Sequence, residues 1–306
     1  MNVLYECPQL SKEIETVITI GTFDGVHKGH QTILHRLQEV KHSKNLKSIV
    51  FTFHPHPRKI ILSEKQSIKI LTTPSEKIQL LQSYNIDYLI FCPFTKEFAN
   101  IPPEDFVHYL STQLNIKHII IGYDHKFGKD RKGDINTFYQ LKDKYHFEVE
   151  QIPAKTVNEI NISSTKIRQF LLSGDIENAN ELLGYNYFLT GIVIEGKKLG
   201  RTIGIPTANV KVEDEDKLIP ANGVYCVNVN VRNKTYKGAL NIGTNPTTDN
   251  DNSQKIEVHI LNFNEDIYHQ KIQISFLKKI RDEEKFDSIE SLKNQILQDI
   301  EWCKNG

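Results

Sequence analysis

The sequence has little cysteine, and its cysteines are far apart. Among 306 residues there are four, at Cys7, Cys92, Cys226 and Cys303, and no two of them form a Cys-x-x-Cys pair. This spacing argues against a disulfide scaffold and against a zinc cluster. We therefore expect free thiols, as in a reducing cytoplasm.

Long apolar runs and an excess of one charge are also missing. No apolar stretch approaches the ~20 residues of a membrane span, and the first residues lack the basic-then-apolar layout of a signal peptide. Lysine and arginine together number 38, as do aspartate and glutamate. We therefore expect a cytoplasmic protein that binds small molecules, with neither a membrane nor a nucleic-acid partner. Nothing in the pattern specifies an oligomeric state.

The first part of the chain alternates apolar strands with amphipathic helices. Thr73, Pro74 and Glu76 form an N-cap, a first-turn proline and a capping-box glutamate, and another helix begins near Pro103. This alternation predicts an α/β domain over residues 1–184, with a parallel sheet and helices on both faces. The predicted strands are Val17–Ile20, Ser48–Phe53, Tyr88–Phe91, His118–Ile121 and Phe147–Ile152.

The pattern changes after Gly184, which we expect to cap a helix. Short β-branched runs separated by Gly, Asn, Asp and Pro predict an antiparallel β-barrel over residues 185–306. The predicted strands are Phe188–Ile194, Val224–Val231, Tyr236–Ile242, Ile256–Phe263 and Lys271–Ile280. A terminal helix from about Ser288 to Cys303 places four apolar residues on one face, namely Ile289, Leu292, Ile296 and Ile300.

A segment rich in glycine and histidine follows the first predicted strand. Residues 21–30 read Gly-Thr-Phe-Asp-Gly-Val-His-Lys-Gly-His, and helical apolar spacing follows. The start of that helix presents unpaired N–H groups and the positive end of the macrodipole to an anion. His27 and His30 share one helix face and can donate hydrogen bonds to phosphate oxygens. The alternative is a pair of surface histidines on an ordinary βα loop, but the surrounding glycines favour nucleotide chemistry.

This segment resembles the adenylyl-transfer signature of nucleotidylyltransferases. More narrowly, it resembles the N-terminal module of bacterial bifunctional riboflavin kinase/FMN adenylyltransferases, also called FAD synthetases. The resemblance implies a Rossmann-like nucleotidylyltransferase domain in which His27 and His30 are catalytic. It also implies ATP binding by Gly21, Phe23, Asp24, Gly25 and Gly29.

Two strand-end segments match the flavin-binding regions of the same family. The first is Phe51–Pro57, which by itself is equally well explained as a strand terminator. The second is Gly122–Gly133, in which His125 stands where the family usually has an aromatic residue. The resemblance implies flavin contacts by Phe53, His56, Pro57, Asp124, Phe127 and Arg131.

A third segment, Ile162–Arg168, opens a predicted helix with hydroxyl side chains. Hydroxyls at a helix N-terminus cap the helix and equally bind phosphate oxygens, and a guanidinium one turn later offers bidentate phosphate binding. By itself the segment is explained by a capped helix with a surface arginine. The resemblance implies a catalytic role for Arg168 and phosphate binding by Ser163, Ser164 and Thr165.

Residues 191–209 place glycines in a basic loop that can wrap phosphates, and they lack the Gly-Lys-Ser/Thr ending of a Walker site. The tetrapeptide Pro206–Asn209 matches the riboflavin kinase signature of the same family. Thr207 and Asn209 lie on one side of an extended chain and carry hard oxygen donors, which suit Mg²⁺ bound to ATP. By itself this stretch is explained by a hairpin loop. The resemblance implies phosphate binding by Gly196, Gly200 and Thr207.

Further riboflavin kinase segments follow in the order of the family. Glu257 matches the catalytic base, which accepts the proton of the ribityl hydroxyl; the alternative is a solvated glutamate on a half-exposed strand. The resemblance implies flavin contacts by Tyr225 and Arg281. The chain departs from the family pattern at Asn245, Asn262 and His269.

We expect a bifunctional enzyme that phosphorylates riboflavin to FMN and then transfers an adenylyl group from ATP to FMN, which gives FAD and pyrophosphate. Mg²⁺ accompanies ATP in both reactions, and adenylyl transfer needs no nucleophilic side chain.

One alternative is an adenylyltransferase whose C-terminal half only binds flavin. Another is a non-catalytic flavin sensor, although such a protein needs no base. A tRNA-binding protein would have a Lys-Met-Ser-Lys-Ser loop, yet Met1 is the only methionine.

Overall fold

The computed structural model describes residues 1–61, 68–157, 160–196, 200, 204–244 and 254–305, and the chain divides into two units, Met1–Ser163 and Ser164–Gly306. The strands are β1 (Asn2–Leu4), β2 (Thr16–Ile20), β3 (Lys47–His54), β4 (Tyr88–Pro93), β5 (Ile116–Gly122), β6 (Glu148–Ile152), β7 (Thr156–Val157), β8 (Ile160–Asn161), β9 (Phe188–Ile194), β10 (Ala208–Val212), β11 (Gly223–Val231), β12 (Lys234–Thr244), β13 (Gln254–Ile260) and β14 (Lys271–Arg281). The helices are α1 (Lys28–Lys44), α2 (Pro57–Ile61), α3 (Pro74–Leu81), α4 (Lys96–Ala99), α5 (Pro103–Gln113), α6 (Ile135–Tyr145), α7 (Ser164–Ser173), α8 (Ile176–Leu183) and α9 (Ile289–Asn305).

The first unit is built on a parallel sheet with the strand order β1-β4-β3-β2-β5-β6. From β2 the chain first adds β3 and β4 on one side and then crosses to add β5 and β6 on the other. In open α/β sheets, ligands bind beyond the carboxyl ends of the strands at such a reversal. The five predicted strands are confirmed. The short β1, which pairs with β4 at the sheet edge, is not among them.

Helices cover both faces of this sheet, as predicted. On one face, α1 packs Leu34 and Leu37 against β-strand residues that include Val50. On the other face, α5 and α6 pack Phe106 and Phe138 against residues that include Phe51. The capping box of α3 is also confirmed, because Thr73 Oγ1 accepts from the Glu76 amide and Glu76 Oε2 accepts from the Thr73 amide.

The pairing of β1 with β4 corrects the expectation of four free thiols. Cys7 follows β1 and Cys92 lies in β4, and the two form a disulfide with a Sγ–Sγ distance of 2.01 Å and a Cα–Cα distance of 5.1 Å. The expectation is wrong for this pair, because 85 residues separate the two cysteines and no local pattern marks them as neighbours. Cys226 and Cys303 are free and buried.

The second unit is a closed antiparallel barrel with the strand order β10-β13-β12-β11-β14-β9. Helices α7 and α8 belong to this unit: the Ala221 amide donates to Leu171 O at 3.0 Å, and Asn180 Nδ2 donates to Phe276 O at 2.9 Å. Gly184 ends α8 in the left-handed conformation, with φ 80°. The domain boundary predicted between residues 184 and 185 stays a prediction, and the compact units divide earlier because α7 and α8 pack with the barrel.

Two details of the second unit differ from the sequence-based prediction. Strand β13 ends at Ile260 rather than Phe263, because Asn262 takes a left-handed turn with φ 56°. In α9, Ile296 and Ile300 pack on the barrel as predicted, whereas Ile289 is 71% exposed because it is the first residue of the helix, before its packed part. Across the described parts of both units, no helix is both long enough and apolar enough to span a membrane.

Candidate active sites

The loop Gly21–His27 joins β2 to α1 at the carboxyl edge of the first sheet. Its backbone turns back sharply, with left-handed φ values at Phe23 (46°), Gly25 (82°) and Val26 (37°). Glycine adopts such angles without a steric penalty, which explains Gly25. The Phe23 ring is buried, and the Gly21 amide donates to Phe51 O at 3.0 Å, so the start of the turn is held by the sheet.

The structure brings the two predicted histidines into contact. His27 is the N-cap of α1, and its Nδ1 accepts a hydrogen bond from the His30 amide at 3.3 Å. The two rings stack with centroids 3.6 Å apart at 13°. Gly29 lies between them, and a Cβ there would come within 3.2 Å of the His27 ring. This arrangement places both imidazoles at the start of a helix, where anions are stabilised.

Electrostatics keeps His30 uncharged. Burial lowers the pKa of His30 well below its usual value, and the nearby charges of His27 and Lys77 lower it further. A neutral imidazole keeps one N–H donor and one acceptor nitrogen. His30 Nδ1 is buried and has no hydrogen-bond partner among the described residues. The ring therefore retains hydrogen-bonding capacity that the described part of the protein leaves unused.

A segment that the sequence did not single out holds this loop in place. Asp24 is 1% exposed, and its Oδ1 accepts from the amides of Leu71 at 2.9 Å and Thr72 at 3.0 Å. Thr72 Oγ1 in turn accepts from the Gly25 amide at 3.1 Å. The Asp24 carboxylate thus positions the loop from behind, and its predicted contact with ATP stays a prediction.

Lys77 of α3 also holds the loop Gly21–His27 in place. It is 6% exposed, and its Nζ donates to Thr22 O at 2.6 Å and to Thr52 Oγ1 at 3.4 Å. Burial lowers the pKa of Lys77 to about 8, while Asp24 acts to raise it. Sequence reasoning missed Lys77 because a lysine on an amphipathic helix is almost always exposed. The capping box of α3 was the available signal, but it indicates a helix start and not a site.

The predicted flavin residues of the first strand-end segment lie at the carboxyl end of β3, the strand beside β2. Phe53 is half-buried, and its ring packs edge-on against Phe94 at 5.4 Å. His56 Nδ1 accepts from the Arg58 amide at 3.2 Å, and Pro57 begins α2. These residues therefore share one sheet edge with the glycine loop. Their contact with flavin stays a prediction.

The second strand-end segment mixes exposed and core residues. Asp124 and Arg131 are exposed, whereas Phe127 is 7% exposed and packs on Phe138 with centroids 4.6 Å apart. His125 stacks on Phe127 at 5.7 Å, and burial together with the charge of Arg131 lowers the pKa of His125 to about 4. The structure gives Phe127 a packing role. The flavin contacts predicted for Asp124, Phe127 and Arg131 stay predictions.

The third segment spans the end of the first unit and the start of the second. Ser163 is the last residue of the first unit, and Ser164 and Thr165 form the first turn of α7 as predicted. Arg168 follows one turn later and is 8% exposed. The joint action of these residues with His27 and His30 stays a prediction.

The barrel brings the predicted kinase residues together on neighbouring strands. Asn209 of β10 and Asn241 of β12 are the register partners of Glu257 of β13, one on each side. Thr207 Oγ1 donates to Glu257 Oε2 at 3.4 Å. Directly opposite residues of paired strands share a face of the sheet, so two amides flank the carboxylate. Asn241 was not predicted as a site residue, because only strand pairing places it beside Glu257.

Two predicted glycines lie close to this group. A Cβ on Gly196 would overlap the Asn209 side chain, so a larger residue there would have to displace that side chain. Gly200 O accepts from the Ile205 amide at 2.8 Å, which ties the two ends of the loop before Thr207. His259 Nδ1 lies 2.8 Å from Pro206 O and holds the residue that precedes Thr207.

A cavity of about 490 Å³ opens beside Thr207. Its walls include Val258 of β13 and the segment after that strand, with Phe263, Asp266 and Tyr268. Binding pockets for small ligands fall in this range of volume and combine apolar walls with a few polar groups. The cavity therefore suits a small ligand that reaches Thr207.

The structure gives structural roles to the two other residues predicted for the kinase site, Tyr225 and Arg281. Tyr225 is fully buried, and its hydroxyl donates to Ala221 O. Arg281 forms a two-point ion pair with Asp299 of α9, with Nε–Oδ1 at 3.0 Å and Nη2–Oδ2 at 2.8 Å. Flavin contacts by Tyr225 and Arg281 stay predictions. Of the departures from the family, Asn245 lies outside the described residues, and Asn262 and His269 both take left-handed φ values, 56° and 62°.

The comparisons with known proteins agree for both halves. A family model for FAD synthetase matches residues 9–166, and one for riboflavin kinase matches residues 183–306. The bifunctional riboflavin kinase/FMN adenylyltransferase of Listeria monocytogenes is 37% identical over 94% of this chain and 91% of its own length. The protein of the same name from Buchnera aphidicola (subsp. Schizaphis graminum) is 41% identical over 94% of this chain and 93% of its own length. The one from Escherichia coli K12 is 37% identical over 92% of this chain and 90% of its own length.

A solved structure shares the fold. A crystal structure described as a macrolide-efflux protein from Streptococcus pneumoniae superposes with a TM-score of 0.91 at 32% identity, with 100% of each chain covered. That description concerns the other protein. Since family models for both activities match, and relatives above 30% identity carry the bifunctional name over most of their length, the chain belongs to the bifunctional riboflavin kinase/FMN adenylyltransferase family and makes FMN from riboflavin and FAD from FMN.

Proposed function

We propose that the two reactions use two separate sites, one within residues 1–184 and one within residues 185–306. Adenylyl transfer takes place at the Gly21–His30 segment, and riboflavin phosphorylation takes place around Thr207, Asn209 and Glu257. The observation that carries this proposal is that the described residues hold two independent polar groups: the His27–His30 stack at the switch point of the sheet, and the Thr207–Glu257 pair on the barrel.

In adenylyl transfer, a phosphate oxygen of FMN attacks the α-phosphorus of ATP. The bond from the α-phosphorus to the bridging oxygen breaks, and pyrophosphate leaves with the negative charge. His27 and His30 donate hydrogen bonds to phosphate oxygens as charge builds up in the transition state. The glycine loop lets the triphosphate approach the start of α1. Ser163, Ser164, Thr165 and Arg168 complete the phosphate contacts, with Phe53, His56, Pro57, Asp124, Phe127 and Arg131 on the flavin side.

In riboflavin phosphorylation, the ribityl 5′-hydroxyl attacks the γ-phosphorus of ATP and ADP leaves. The Glu257 carboxylate accepts the hydroxyl proton, and Thr207 Oγ1 donates a hydrogen bond to that carboxylate. The cavity beside Thr207 receives ATP, and the glycine-rich loop with Gly196 and Gly200 covers its phosphates. Tyr225 and Arg281 lie on the flavin side.

Mg²⁺ enters with ATP as part of the substrate. The Thr207 hydroxyl and the Asn209 amide oxygen are hard donors of the kind Mg²⁺ prefers, and Thr207 lies within hydrogen-bond distance of the Glu257 carboxylate. This donor set fits Mg²⁺ at the kinase site, where the ion neutralises phosphate charge. Both substrates and both products are small molecules, and no nucleic acid or membrane is needed as a partner.

We place both reactions in the cytoplasm, where ATP is abundant. The buried thiols Cys226 and Cys303 fit that compartment. The Cys7–Cys92 disulfide counts against it, because thiols of cytosolic proteins stay reduced. Mass spectrometry after alkylation of the protein in fresh cell extract decides the matter: labelled Cys7 and Cys92 support the placement, and an unlabelled pair contradicts it.

Two substitutions test the assignment of sites. With Mg-ATP, Glu257→Gln should abolish conversion of riboflavin to FMN by removing the base, yet still convert supplied FMN to FAD. His30→Ala should do the reverse, so that FMN accumulates from riboflavin. Chromatography of the three flavins follows both steps in one sample, and each retained activity shows that the variant is folded. Loss of both steps through either single change in a folded protein would contradict two separate sites.

A further inference from the structure

The segment Leu71–Lys77 binds the loop Gly21–His27 of the proposed adenylyl-transfer site. One of its contacts, that of Lys77, uses a charged group where a neutral group would be sufficient. Leu71 and Thr72 hold the loop with neutral amide and hydroxyl groups. Lys77 holds it with an ammonium group that is removed from water. Burying a charge is costly, and buried lysines are rare for that reason.

The carbonyl that Lys77 binds does not need an ammonium group. Thr22 O accepts from Lys77 Nζ at 2.6 Å and also from Thr52 Oγ1 at 3.1 Å. The threonine hydroxyl alone satisfies this acceptor. The Lys77 side chain also lies over the Phe91 ring, with Nζ 5.7 Å from the centroid, so an apolar side chain of the same length would pack there. What Lys77 adds beyond packing and hydrogen bonding is its charge.

We propose that Lys77 is a positioning residue for adenylyl transfer, whose buried ammonium group binds the Thr22 carbonyl and places a positive charge behind the His27–His30 pair. The inference rests on the proposed function of these two histidines. The charge acts in a site where water is largely excluded, so its influence on a bound triphosphate is stronger than at an exposed position. Lys77 touches neither reacting atom and acts through the loop.

The electrostatics of the site agrees with this role. The titratable groups that act on His30 among the described residues are His27 and Lys77, and both lower the pKa of His30. Asp24 faces Lys77 and acts to raise its pKa, which burial has lowered to about 8. Near neutral pH, Lys77 therefore keeps its proton while His30 is neutral. Above about pH 8, Lys77 loses its charge and the support of the triphosphate weakens.

The test compares Lys77→Met with wild type across pH. Methionine keeps the length of the side chain and removes its charge, and Thr22 O keeps its bond from Thr52. We expect kcat for FMN adenylylation to fall about 10- to 100-fold, the cost of a lost interaction with a charged group. We also expect the decline of adenylylation above about pH 8 in wild type to disappear in the variant. Riboflavin phosphorylation in the same samples should be unchanged at every pH.

Two readouts separate this role from a merely structural one. The pKa of His30, followed by NMR of histidine-labelled protein and assigned with His30→Ala, should rise in Lys77→Met because a positive neighbour is gone. The Tm shows how far the change destabilises the fold, since Lys77 also faces the buried Asp24 carboxylate. Lys41→Met is the matched control: it removes a largely buried lysine at the opposite end of α1, paired with Asp87 at 2.7 Å, and should leave the His30 pKa and adenylylation unchanged.

Each outcome of these experiments either supports or overturns the inference about Lys77. Wild-type adenylylation in Lys77→Met, or a fall in both Tm and activity with an unchanged His30 pKa, overturns the inference. If Lys77→Met does not fold, the wild-type pH profile decides alone, because adenylylation without a decline above about pH 8 overturns the inference as well. If His30→Ala retains adenylylation, the proposed function of His30 fails; if His30→Ala is inactive and Lys77→Met is fully active, only the inference about Lys77 fails.

Discussion

Burial decides the charge of individual side chains in the first unit. His30 and His125 are both held neutral by desolvation, and in each case a neighbouring cation acts in the same direction. For His30 this leaves a neutral imidazole at a helix start, where a phosphate can accept its N–H. For His125 the same physics has no evident catalytic use. The lowered pKa of His125 makes the folded protein less stable in acid, because His125 binds a proton in the unfolded chain at pH values at which it stays neutral in the folded chain.

Replacing His125 by phenylalanine should make the first unit more resistant to acid. The pKa of His125 is about 4 in the folded protein, below the usual value of 6.5, so stability is present above the usual value and is lost as pH falls toward about 4. From about pH 7 to about pH 5 the wild type should therefore lose about 1–2 kcal/mol more of its free energy of unfolding than His125→Phe. Urea unfolding at both pH values measures it. His42→Gln, a change at an exposed histidine of α1, is the control, and an equal loss in His125→Phe and wild type would contradict the account.

At the residue scale, the local motifs could be predicted and their supports could not. His27 and His30 were identified because three residues of spacing at a helix start fix their common face. Asp24 was identified with them, but its partners Leu71 and Thr72 lie 47 and 48 residues away, and nothing local connects them. Lys77 was missed for the same reason. Its role depends on burial, which one helix period does not reveal.

Among the elements, α9 is fastened to the barrel by a largely buried ion pair. Arg281 at the end of β14 meets Asp299 of α9, with side chains 18% and 5% exposed. Gln295 Nε2 donates to the same carboxylate at 3.0 Å, and Arg281 Nη1 donates to Asp282 O at 3.1 Å. The Asp299 carboxylate thus accepts from both Arg281 and Gln295, and Arg281 has a further acceptor in Asp282 O. The helix position is fixed by this network together with Ile300 and the Cys226–Cys303 contact.

Removing the acid of this pair should loosen α9. Asp299→Ala leaves the Arg281 guanidinium in a mostly buried place without its partner, and we expect a loss of about 3 kcal/mol in the free energy of unfolding. Glu301→Ala on the same helix removes an exposed pair with Lys304 and should cost about 0.5 kcal/mol or less. Urea unfolding followed by circular dichroism compares the two. Equal costs for the two variants would show that the Arg281–Asp299 pair does not anchor the helix.

At the element scale, long apolar patterns predicted most strands and helices, since burial repeats along each of them. The barrel strands were recognised from alternation, and α3 from its capping box. Short or mixed elements were missed: β1 has three residues, and β10 lies within a glycine- and proline-rich stretch. Strand register was not predictable either, and register is what sets Asn241 beside Glu257.

The whole molecule carries out two reactions, and the product of one, FMN, is the substrate of the other. On the proposed assignment of sites, FMN leaves the kinase site and enters the adenylyl-transfer site. The resemblance of several ordered motifs to a known family was sufficient to predict both activities, because each motif is local and can be recognised in the sequence. Contacts between distant segments were not predictable, as the 85 residues between Cys7 and Cys92 show.

If the sites are separate, two defective proteins should complement each other. His30→Ala alone should turn riboflavin into FMN and stop there, and Glu257→Gln alone should leave riboflavin untouched. An equal mixture of the two purified variants with riboflavin and Mg-ATP should form FAD, because FMN released by one protein is adenylylated by the other. Chromatography of the flavins over time is the measurement: FAD in the mixture and in neither variant alone is the predicted result, and a mixture of folded variants that forms no FAD would contradict it.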